Sequence, residues 1–91
     1  MNRAIVTVLG SDRVGIIAAV SGRLCELSVN ILDTTQTVMK DEVFVLLMLV
    51  DLDGASCSFH EISENLKQLG EAQNLSIRIQ REKIFDAMHN I

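Results

Sequence analysis

Residues 43–50 read VFVLLMLV, eight apolar side chains in unbroken succession between Glu42 and the turn-like run Asp51-Leu52-Asp53-Gly54. A run of strand length with no polar interruption belongs to a strand buried on both faces, because alternation marks a strand that meets water on one side. Any fold for this chain must therefore place Val43–Val50 centrally and find cover above and below it. "AIVTVL", Ala4–Leu9, is β-branched and apolar on both faces apart from Thr7, and is expected to be a second central strand.

The remaining segments read as two helices and two further strands. After Gly10, the apolar positions Ile17, Val20, Leu24 and Leu27 recur at the three- and four-residue intervals of one helix face, starting at Val14, with Asp12 or Ser11 placed to cap the first turn. Gly22 lies inside this helix at a cost of about 1 kcal/mol relative to Ala, and either permits close approach of another backbone, the favoured reading, or is simply tolerated. Val29–Met39 mixes Asn30, Asp33 and Gln36 with Ile31, Leu32 and Val38, the pattern of an edge strand, with Gln36 at the surface or an interface; Lys40–Glu42 forms the hairpin turn.

Ser58 followed by Glu61 is a capping box, and Phe59, Ile62, Leu66 and Leu69 carry a helix to the region of Gly70. "LSIRIQR" then alternates, with Leu75, Ile77 and Ile79 inward and Ser76, Arg78 and Gln80 outward. The order is βαββαβ. Right-handed crossovers fold it into an α+β, ferredoxin-like sandwich: an antiparallel four-stranded sheet, first and third strands central, with two helices on one face. Residues 1–82 form one domain. The tail 83–91, "KIFDAMHNI", reads as a short C-terminal helix whose stripe of Ile84, Phe85, Met88 and Ile91 packs on the sheet face left open by the helices or on a partner subunit.

Composition narrows the function classes. A chain of 91 residues buries only roughly 60–65% of its unfolded surface, so partner contacts are expected and a homodimer is the simplest source. The net charge is −4, the Lys and Arg residues are scattered, and there is no Tyr or Trp to stack on bases, so nucleic acid is not an expected ligand. With no apolar run long enough for a bilayer and no recognisable export signal, the expected location is the cytoplasm, away from membrane. Cys25 and Cys57 lack metal-finger spacing and read as free thiols. Cys57 and His60 lie one helical turn apart but without a third ligating or orienting group, and His89 stands alone, so no metal, cofactor or catalytic residue is expected.

The chemistry concentrates between the first strand and the first helix. Backbone N–H groups at the positive end of a helix favour a carboxylate, and Arg13 adds to that preference. Asp12 offers a partner for an ammonium group, and Gly15 leaves room for a ligand to approach the backbone. The same residues also serve plain structure: Asp12 as a cap, Arg13 as a solvated charge, Gly10 and Gly15 as turn formers, Asn30 as a polar opening to an edge strand.

"GSDRVGIIAAVSGRLCELSVNILDTTQTV", Gly10–Val38, resembles the signature of the ACT domain, the small regulatory module of amino-acid-metabolising enzymes. The usual form of that signature is Asp-Arg-Pro-Gly-hydrophobic, a helix, then Asn-Ile. Val14 stands where the family commonly has proline, a mild change because proline there sets φ without contacting ligand. The resemblance spans about residues 3 to 80, and the whole chain is similar to small stand-alone ACT proteins of bacteria and archaea, to which the repressor of the glycine cleavage system is related. It implies a non-catalytic homodimer that binds a small amino acid through Gly10, Ser11, Asp12, Arg13, Val14, Gly15 and Ile16, with Asn30 and Ile31 contributed by the partner subunit, and that regulates an enzyme or a regulator. Two other readings stand beside it. One is a ligand-free protein–protein module. The other is an acylphosphatase-like hydrolase in which Arg13 cradles phosphate and Asn30 orients water, although that family's turn is longer and its asparagine lies on the third strand.

Overall fold

The computed structural model describes residues 2–11, 15–40 and 42–82. Its elements follow the expected order: β1 Arg3–Gly10, α1 Ile16–Glu26, β2 Asn30–Val38, β3 Phe44–Asp51, α2 Phe59–Gln73 and β4 Ser76–Arg81. The strands form one antiparallel sheet in the order β2-β3-β1-β4, with the two most apolar strands in the middle. This is the ferredoxin-like topology that the sequence pattern predicts.

Strand pleating decides which residues form the core. Ala4, Val6 and Val8 of β1, Phe44, Leu46, Met48 and Val50 of β3, and Ile77 and Ile79 of β4 are all buried, and they meet Ile16, Val20 and Leu24 of α1 and Ile62, Leu66 and Leu69 of α2. Among the described residues no polar or charged side chain is buried, so burial of aliphatic surface stabilises this layer without desolvated polar groups to offset it. The alternate residues of the central strands face away from the helices. There Leu9 and Leu47 remain 41% and 39% exposed, so the described residues cover β3 on one face only; the expected cover of the other face, the tail or a partner subunit, lies outside the described residues.

Some local expectations are corrected. α1 begins at Ile16 rather than Val14, and its N-cap is Gly15 in the left-handed region (φ 76°), with no side-chain cap hydrogen bond. Gly15 and not Ser11 holds the N-cap position, immediately before the first helical residue, and Asp12 lies outside the described residues. Gly22 is exposed, and a Cβ there would meet nothing within 4 Å, so it permits no close approach and is simply tolerated. α2 continues past Gly70 to Gln73 and is closed by Asn74 in the left-handed conformation (φ 58°). Gly70 is the glycine under steric demand: a Cβ there would lie 2.7 Å from the Leu75 carbonyl oxygen.

The capping box is as expected, with the Glu61 N–H donating to the Ser58 hydroxyl oxygen at 3.2 Å. At the hairpin the Met39 N–H donates to the Val43 carbonyl at 2.8 Å, and Glu42 takes a left-handed φ of 62°. The C-terminal helix expected from the stripe of Ile84, Phe85, Met88 and Ile91 falls outside the described residues.

Candidate functional site

Gly10 is the last residue of β1, paired with Phe44, and Ser11 follows it exposed to solvent. At the far side of the turn Gly15 is exposed, and Ile16 is buried in the core. Asp12, Arg13 and Val14, the middle of the candidate site, fall outside the described residues.

The positive φ at Gly15 has a local cause: the strand must release the chain upward into a helix that packs back over the sheet, and a Cβ at that φ would be strained. Its carbonyl accepts the Ala19 N–H at 2.9 Å, closing the first turn. The N-cap residue Gly15 has no side chain to accept from the first-turn N–H groups, and among the described residues nothing beyond the chain neighbours of Gly15 lies within 4 Å of the point a Cβ would occupy there. A helix start with glycine at the N-cap suits an anionic group.

Asn30 and Ile31 are not brought to this turn within one chain. β2 runs in the same direction as β1, so Asn30 pairs with Asp51 at the end of the sheet where Arg3 lies, whereas Gly10 sits level with Phe44. The separation is the length of β3, roughly 24 Å at about 3.4 Å per residue. Asn30 is exposed and Ile31 is half-buried against the core. A second copy alone could carry Asn30 and Ile31 to the turn.

The residues that do share the turn's end of the sheet are Val38 and Met39, which are 52% and 58% exposed, with Val38 paired to Phe44 and Phe44 to Gly10. Sequence reading did not single them out as part of a site. Only the strand order sets them level with Gly10, and no local motif encodes that order.

Elsewhere the chemistry is sparse. Cys25 is an exposed free thiol and Cys57 a half-buried one, His60 is exposed, and no cluster of three metal-ligating side chains occurs among the described residues. Arg23 donates to the Asn65 side chain and so ties α1 to α2, away from the turn. Among the described residues no helix is long and apolar enough to cross a membrane.

A four-stranded antiparallel sheet in the order β2-β3-β1-β4, with two helices and a glycine-capped turn from β1 into α1, defines a ferredoxin-like class of small α+β domains. The family model of the ACT domain matches residues 2–80, and the chain belongs to that family. It is 45% identical to a UPF0237 protein of Listeria innocua over 98% of this chain and 99% of the relative. It also superposes on the structure of an ACT domain protein from Streptococcus pneumoniae with a TM-score of 0.82 and 39% identity, covering 92% of this chain and 93% of that one. A candidate glycine cleavage system transcriptional repressor aligns with a TM-score of 0.74 and 26% identity over 88% of this chain and 45% of its own.

Proposed function

We propose that this protein is a non-catalytic regulatory module that binds a free amino acid at the turn between β1 and α1, works as a homodimer, and conveys occupancy to an enzyme or regulator. The observation that carries the reading is the glycine N-cap of α1, Gly15, which brings no side chain of its own to the first-turn N–H groups, with open space beside that glycine among the described residues. Those donors take the ligand carboxylate, and Arg13 strengthens the attraction. Asp12 takes the ammonium group, and Gly10, Ser11, Val14 and Ile16 shape the walls. Asn30 and Ile31 of a second copy complete the site, which accounts for their distance from the turn within one chain.

Thermal unfolding across a panel of free amino acids tests this. A ligand at 100 times its Kd adds about 2.7 kcal/mol to the native state. One amino acid should raise Tm, and Asp12→Ala should abolish the rise while leaving Tm without ligand nearly unchanged. A panel with no response overturns the reading in favour of a module that docks on another protein.

A further inference from the structure

β4 is an edge of the sheet, with β1 on one side and no strand among the described residues on the other. Its outward N–H and C=O groups are therefore open to an added strand. A groove of about 500 Å³ runs along this edge, lined by Ser63, Lys67 and Glu71 of α2 and by Ile77, Arg78 and Ile79 of β4. Ser63, Lys67 and Glu71 recur at every fourth position, which makes them one stripe of the helix. The Arg81 guanidinium lies 4.4 Å from the centroid of the Phe59 ring, so the start of α2 meets the end of β4 and the two elements run antiparallel. Lys67 is thereby set level with the middle of β4. The opposite edge of the sheet is a poorer template: a register shift between Ile31 and Asp33 interrupts β2, whereas β4 pairs with β1 in unbroken register.

Charge decides what kind of strand fits. Lys67 and Arg78 are exposed, and neither forms an ion pair with a carboxylate among the described residues, where the ion pairs are Arg3 with Glu82 and Arg23 with Glu26. In a chain of net charge −4, two such cations at one groove are a local exception. Since Ile77 and Ile79 turn to the helices, Arg78 stands on the open face of the sheet while Lys67 stands on the helix side. Successive residues of an added strand alternate between the same two faces, so two adjacent acidic residues would meet one cation each. A second copy suits the edge less well. Paired antiparallel about the middle of β4, it would set two Arg78 side chains directly opposite, and like charges so placed destabilise a sheet.

We infer that β4 and α2 form a docking groove for an extended acidic segment of another protein, which adds to the sheet as a fifth strand and sets adjacent carboxylates against Lys67 and Arg78. Backbone hydrogen bonds supply the affinity, and the two cations supply the selectivity. Glu71 repels an acidic residue at the end where β4 begins, which places the acidic pair toward the middle of the strand. The groove shares no residue with the turn between β1 and α1.

The probe is an acetylated peptide of about eight residues, enough to span β4, built of Val and Thr with Asp-Glu at its centre. Titrated into isotope-labelled full-length protein, it should shift the amide signals of Ser76–Arg81 and of the α2 stripe. Lys67→Gln and Arg78→Gln should each weaken binding about fivefold, the scale of one exposed ion pair. Lys67→Glu with Arg78→Glu should transfer the preference to a peptide with Lys-Arg at its centre. Both side chains are exposed, so these variants keep the fold. Methylating the peptide's backbone nitrogens at alternate positions should abolish binding in one phase and spare it in the other, because only every second N–H of a strand faces a given neighbour. Absence of shifts in β4, equal effects of the two methylation patterns, or binding unchanged by loss of either cation overturns the inference. Shifts in β4 that grow with protein concentration alone also overturn it and point to a second copy, and the same shifts on adding free glutamate overturn it in favour of a small-anion site. A failed amino-acid thermal shift leaves all of these readouts unchanged, so the two proposals fail separately.

Discussion

Gly15 and Gly70 are both glycines for backbone reasons, but the reasons differ and predict different substitutions. At Gly15 the constraint is conformational: φ is 76° and the surrounding space is empty among the described residues. Gly15→Ala is expected to cost about 1–2 kcal/mol, whereas Gly15→Asn, which tolerates the left-handed region, should cost less; urea unfolding of the pair measures the difference. At Gly70 the constraint is steric, because the Leu75 carbonyl oxygen occupies the space of a Cβ and the Leu75 N–H donates to the Gly70 carbonyl at 2.7 Å. Gly70→Ala should destabilise by about 1–3 kcal/mol, the ordinary cost of overpacking, with no rescue by Asn. Ser58 is a third such position. Removing its hydroxyl by Ser58→Ala should cost about 1 kcal/mol, seen as a Tm lower by about 4–8 °C for a domain of this size.

Among the elements, α1 is the weaker helix. Its N-cap Gly15 has no side chain to accept from the first turn, it carries Gly22 in mid-course, and its first turn holds no acidic residue to favour the dipole. α2 has the Ser58 cap, Glu61 in its first turn and Asn74 to close it. Because Gly22 is exposed with nothing described near it, Gly22→Ala should stabilise the protein by about 0.5–1 kcal/mol through lower entropy of the unfolded chain and better helix propensity. Amide exchange should show the largest gain in protection within Ile16–Glu26. A loss of stability there would mean that a partner packs on that position. The capping box at Ser58 and the alternation of β4 were legible because each depends on neighbours within four residues. The start of α1 and the end of α2 were not, since in each case a glycine or asparagine in the left-handed region sets the boundary, and that conformation follows from where the next element must go.

For the molecule as a whole, a small apolar core on one sheet face leaves the stability of an isolated copy modest. If copies associate as proposed, Tm must rise with protein concentration, since binding between native chains stabilises only the native state. Differential scanning calorimetry over a hundredfold concentration range checks this, and a Tm independent of concentration would argue for a monomer. Taken alone, the sequence determined the order of elements, the two central strands and the ACT signature, because apolar periodicity and turn chemistry are local and the βαββαβ order admits few topologies. It also located the turn that carries the candidate chemistry. The tertiary structure decided what depends on register and strand direction. It set Asn30 a sheet's length from Gly10, it brought Val38 level with the turn, and it left one face of β3 without cover among the described residues. Those facts are relations between residues far apart in the chain, and hydrophobic pattern carries no information about which ends of two strands lie together.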